Sequence, residues 1–146
     1  MRMLALAAFL VLLLAGCGGG GGDKLSDDDF RSQANALCVA YSKKVNALPD
    51  PGGYGELADY AAQAHKALVV ALDGLKDLHP SDTLKDDYAK WLASAGRSLE
   101  RVDQLEQAAN AKNDAEIQRL SAAANAADVR ADRLATRIGI AECAND

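Results

Sequence analysis

The sequence predicts an all-α fold, an up-down-up-down four-helix bundle, and three observations carry that expectation. Apolar residues recur at spacings of three and four in four separate stretches. The connections between these stretches are short and hold proline, glycine or capping residues. No segment shows the strict alternation or β-branched enrichment of a strand.

The first helix starts at Ser26, whose hydroxyl can cap a turn opened by Asp27, Asp28 and Asp29, acids at the positive end of the helix dipole. Leu25 and Phe30 occupy the two positions of a hydrophobic staple across that cap. The apolar stripe runs Phe30, Ala34, Leu37, Tyr41, Val45 and Leu48, and Pro49 drives Leu48 out of helical geometry. The second stripe is Tyr54, Leu57, Ala61, Ala64, Leu68, Ala71, Leu75 and Leu78. His79-Pro80-Ser81-Asp82 ends it and offers caps for the third helix. That helix carries Leu84, Tyr88, Trp91, Ala95, Leu99, Val102 and Leu105. Gly96 is either a weak point costing about 1 kcal/mol against alanine or a place of close helix approach. Asn113 and Glu116 form a capping box for the fourth helix, with stripe Ile117, Leu120, Ala124, Ala127, Ala131, Leu134 and Ile138. Gly139 is placed as a left-handed stop, with Ile140 folding back toward Leu134.

The chain opens differently. Arg2, an apolar run from Leu4 to Leu14 and the small residues Ala15 and Gly16 lead to Cys17, the layout of an export signal. The run breaks into glycine well short of the roughly 20 apolar residues that cross a bilayer. Leu14-Ala15-Gly16-Cys17 resembles the lipobox of bacterial lipoproteins. The resemblance covers the signal segment alone. It implies that residues 1–16 are a signal peptide removed by cleavage, and that Cys17 receives a diacylglycerol and further acylation. Membership also implies a chain held on the extracytoplasmic face of a cell membrane. Two or more acyl chains give a stable anchor, where one would not. Residue 18 is glycine rather than the aspartate that retains some lipoproteins at the inner membrane, so outer-membrane sorting is open where two membranes exist. Residues 17–25 then form the lipidated cysteine and a glycine-rich tether, with a flexible-coil reach of roughly 15 Å. Residues 26–146 form the bundle and its C-terminal tail.

With Cys17 assigned to lipid, two of the three cysteines remain, and Cys38 and Cys143 are a natural disulfide pair in an oxidising compartment. Closing a loop of about 100 residues is worth up to about 4.7 kcal/mol on the chain-entropy model. A redox or metal-binding thiol pair is the alternative, although no CxxC spacing is present. The pairing sets a geometric condition. Cys38 lies roughly 18 Å along its helix from Ser26, so the tail beyond Gly139 has to turn back along the bundle to reach it.

Composition narrows the function. The formal net charge is -5 and becomes one unit more negative when Arg2 leaves with the signal, so nucleic acid is not an expected partner. Both methionines, Met1 and Met3, leave as well, and only His65 and His79 remain as histidines. Copper clusters of Met and His, CxxCH haem attachment and paired Glu-x-x-His di-iron motifs are thereby excluded. His65 reads as a partly buried structural histidine, with a lone axial ligand as the sharper alternative. Trp91, Tyr88 and Tyr41 lie on inner stripes and read first as core. No catalytic motif, metal site or cofactor signature is found in the folded part.

Along the fourth helix Arg119, Arg130, Arg133 and Arg137 project within a sector of about 60°. Solvated flanking charges are the plain reading. Contact of Arg130, Arg133 and Arg137 with anionic headgroups is the functional one, worth on the order of 1 kcal/mol per residue. Beyond the lipobox, the chain is similar in layout to small alanine-rich helical envelope lipoproteins, a likeness that assigns no site. The leading expectation is a non-enzymatic interaction or structural module, whose partners are the membrane and an envelope protein or polymer. A small-ligand or haem-binding bundle is the alternative. A tightly filled core favours the first, and a pocket near His65 and Trp91 favours the second. The Cys17→Ser chain should lose metabolic labelling by fatty acid and leave the membrane fraction, and labelling that survives the substitution would remove the basis for the anchor.

Overall fold

The computed structural model describes residues 24–144, so residues 1–16, Cys17 and most of the tether lie outside the described residues. It contains four helices, α1 (Asp27–Val45), α2 (Tyr54–Lys76), α3 (Lys85–Asn110) and α4 (Asp114–Ile138), followed by a 3-10 turn at Ala141–Ala144. Among the described residues there is no strand, and the architecture is the expected all-α four-helix bundle.

The helix ends follow local chemistry. Ser26 Oγ accepts from the Asp29 amide at 3.1 Å, and Leu25 packs on the core that holds Phe30. Asn113 Oδ1 accepts from the Glu116 amide at 3.2 Å. At the end of α4, Gly139 has φ +84°. Its amide donates to Thr136 O at 3.2 Å and the Ile140 amide to Ala135 O at 2.9 Å, the paired bonds of a Schellman motif. Ile140 is fully buried beside the partly buried Leu134. The start of α3 departs from expectation, because no side chain caps it. The Ser81 carbonyl instead accepts the Leu84 and Lys85 amides at 3.2 and 3.1 Å, and its hydroxyl donates to Asp27 Oδ1 of α1 at 2.5 Å. α1 also ends at Val45, short of Leu48, which stands in a turn before Pro49.

Close backbone approach runs from α1 to α2, α2 to α3 and α3 to α4, and the 3-10 turn touches both α4 and α1. The ring is therefore completed at the end where α1 begins and α4 finishes. That end is densely filled. Phe30 meets Tyr88 edge to face with centroids 4.7 Å apart, and Tyr88 stacks on Trp91 at 5.9 Å. The Tyr88 hydroxyl donates to Leu75 O at 2.6 Å, which satisfies a polar atom inside the core, and burial pushes the phenol pKa up. Leu75, Ile138 and Ile140 complete the cluster. Close helix approach occurs at Gly74, where a Cβ would come 3.1 Å from a Leu37 methyl, and not at Gly96, which faces open space.

Cys38 and Cys143 form a disulfide with Cα atoms 5.1 Å apart. The tail makes the required return, because Gly139 stops α4 and the 3-10 turn then lies against α1. Two α1 side chains secure the reversal. Arg31 Nε donates to Ile138 O at 3.0 Å, while Asn35 donates to Gly139 O at 3.3 Å and accepts from the Glu142 amide at 3.1 Å. Replacing both cysteines with alanine is expected to lower unfolding stability by about 2–4 kcal/mol, read from the urea midpoint, and an unchanged midpoint would show that these polar contacts hold the turn without the bond.

Candidate functional site

Above the aromatic cluster the filling changes. α2, α3 and α4 place Ala71, Ala95, Ala124 and Ala131 where larger side chains would have closed the centre, and they line a cleft of about 460 Å³. That volume falls in the range of roughly 300–1,000 Å³ usual for small-molecule sites. Trp91, Cys38 and Cys143 line the cleft where it meets the dense end. Leu68, Leu72 and Leu75 form the α2 wall, and Val102 and Leu105 the upper α3 wall. α1, at 19 residues against 26 for α3, covers it only as far as Tyr41 and Val45. The α4 edge carries the exposed residues Ser121, Asn125 and Asp128, so the cleft opens to solvent there.

The polar groups of the cleft are few. Arg101 enters from α3, and its Nη2 donates to Ser98 Oγ at 2.8 Å. Its Nε is buried without a hydrogen-bond partner, the one such side-chain atom among the described residues. Asp128 and Asp132 face the cleft from α4. Burial, and then the neighbouring Asp128 carboxylate, raise the pKa of Asp132. No ion pair among the described residues involves Arg101, Asp128 or Asp132. The arrangement suits binding: apolar walls, an aromatic floor and a guanidinium with spare donor capacity. It contains no nucleophile paired with a base, and among the described residues no three metal-ligating side chains converge.

The residues singled out in the sequence fall in four groups. Cys17 lies outside the described residues. Cys38 and Cys143 come together, and they also line the cleft, a role their spacing did not show. Arg130 and Arg133 are exposed on α4, whereas Arg137 Nη1 lies 3.5 Å from Asp87 Oδ2. These arginines share the end of the bundle from which residue 24 leaves, where Lys24 reaches Asp82 at 2.5 Å. Asp27, Asp28, Asp29, Asp86 and Asp87 crowd the same end and offset the attraction of an anionic surface. His65 is partly buried but does not line the cleft, and His79 is exposed, its carbonyl accepting from the Leu25 amide at 2.8 Å. Arg101 escaped the sequence reading. Its signal is a charge in register with Ala95, Ser98 and Leu105 inside an otherwise apolar face.

No family model matches the chain, and neither a curated protein nor a solved structure shows significant similarity to it. Among the described residues, no helix is long and apolar enough to cross a membrane.

The raised Asp132 pKa has a definite sign in stability. The folded chain holds this proton more tightly than the unfolded chain, so the contribution is full below the unfolded value and is lost as pH rises through the folded one. Asp132→Asn should match the parent stability near about pH 3 and exceed it at about pH 7. Urea unfolding at both values checks this, and a variant less stable at neutral pH would show that the carboxylate is a needed partner.

Proposed function

We propose that this chain is a lipid-anchored extracytoplasmic bundle that binds a small, largely apolar ligand between its helices. The lipobox-like Leu14-Ala15-Gly16-Cys17 supports the anchor and the location. One observation carries the binding role: the cleft of about 460 Å³ bordered by Trp91, in a bundle whose alanine-rich stripes would otherwise be drawn together. The aliphatic and aromatic walls of the cleft are apolar surface that a bound ligand removes from water. No histidine lines the cleft, and both cysteines there are bonded to each other. Packing rather than metal ligation therefore holds the ligand, and haem is the weaker occupant.

The reading as an interaction module for an envelope protein or polymer draws on the exposed Val39, Val70 and Val129. Exposed apolar residues in such small number are ordinary for a protein surface. Membrane contact in this reading runs through lipid on Cys17, with the exposed Arg130 and Arg133 as auxiliary contacts to anionic headgroups and Arg137 shared with Asp87.

The test uses the Cys17→Ser chain and the neutral apolar probe N-phenyl-1-naphthylamine. The probe should brighten on binding and quench or shift the emission of Trp91, the single tryptophan of the chain. Ala124→Phe, which fills the cleft from α4, should weaken the probe at least about tenfold while leaving the helical content intact. Equal binding by parent and filled variant, or none by the parent, would refute the ligand-binding role.

A further inference from the structure

The cleft has two chemically distinct levels. Trp91 and Arg101 both belong to α3, and ten residues of helix separate them by about 15 Å along the bundle. Between them α2 and α3 contribute Leu68, Ala71, Leu72 and Ala95, and α4 contributes Asn125 and Asp128. At the upper level a guanidinium is held by Ser98 with its Nε buried and unpartnered. A buried donor left unsatisfied is costly, and an arginine fork is shaped for a carboxylate.

We propose that the cleft is a site for a single-chain fatty acid, its hydrocarbon tail lying toward Trp91 and its carboxylate accepting from Arg101. This rests on the ligand-binding role proposed above and adds the class of ligand. The head carries one negative charge because the cleft offers one guanidinium. Asp128 and Asp132 line the same cleft and would repel the second charge of a phosphate monoester. The tail is a slender chain because the α2 and α3 walls are the aliphatic side chains of Leu68, Ala71, Leu72 and Ala95, which it lies against, while the polar Asn125, Asp128 and Asp132 stand along the α4 side. The carboxylate meets the guanidinium where Arg101 lines the cleft, and because Nε is buried it gains an acceptor only through a shift of the side chain, which charge-assisted bonds to the head drive.

The experiment titrates the Cys17→Ser chain with dodecanoate, dodecanol and dodecylamine below their micellar concentrations, reading Trp91 emission. Dodecanoate should bind at least about tenfold more tightly than dodecanol, as a charge-assisted hydrogen bond predicts. Arg101→Met should erase that preference and leave dodecanol affinity unchanged, which also reports that the variant is folded. Arg101→Lys should recover part of the preference, because the charge remains and the fork is lost. Equal affinity for dodecanoate and dodecanol, or an Arg101→Met chain that still prefers dodecanoate, overturns the fatty-acid assignment and leaves the cleft a binding site. Tightest binding of dodecylamine also overturns it and gives the head to Asp128 and Asp132. If no amphiphile perturbs Trp91 and the neutral probe fails as well, the ligand-binding role falls first.

Discussion

A four-helix ring has one seam that its connections do not close, the one between the first and last helices, and here those helices are joined by a covalent strap at one end. Cys143 reaches Cys38 only because Gly139 ends α4 in a left-handed turn and the following residues fold back against α1. Arg31 and Asn35 then serve carbonyls and an amide of the reversal, so α1 supplies the polar partners that the terminus of α4 lacks. The aromatic cluster of Phe30, Tyr88 and Trp91 is assembled under this strap. The 3-10 turn bridges α1 and α4 at this end only, and beyond it the cleft begins.

The division between the two ends follows side-chain volume. Phe30, Tyr88 and Trp91 fill one end with large buried rings. Toward the other end Ala71, Ala95, Ala124 and Ala131 interrupt the leucines and valines of the stripes, and a short α1 leaves the upper part of the bundle with three long walls. Alanine is an excellent helix former and a poor filler, so it preserves the helices while leaving the centre open. A charged residue is tolerated inside such a partly open region because its far atoms reach water or a ligand, as Arg101 illustrates.

The helices were legible because their signals are local. Ser26, Asn113 and Gly139 act through atoms a few residues away, and all three appear in the structure as caps or a stop. Ser81 was less readable, since its hydroxyl serves Asp27, a residue distant in the chain. The cysteine pairing was legible by counting, given the lipobox resemblance, whereas its place beside a cleft was not. A cleft depends on the relative height of side chains on different helices, and periodicity reports only which face they share. Tyr41 and Trp91 therefore read as core, and Trp91 is indeed buried, yet both also line the cleft. Arg101 was overlooked because a lone cation beside an apolar stripe usually belongs to a solvated flank.

The strap also sets how tension would pass through the molecule. The bond joins positions 105 residues apart, so a pull between the two termini travels from α1 at Cys38 directly into Cys143. Only the residues before the first cysteine and after the second can be drawn out. The remainder of α1 and all of α2, α3 and α4 hang in a closed loop that carries no load. A backbone cut anywhere in that loop likewise leaves two pieces that stay attached to one another, so a nick in an exposed connection such as 46–53 does not by itself separate the chain from its leading end.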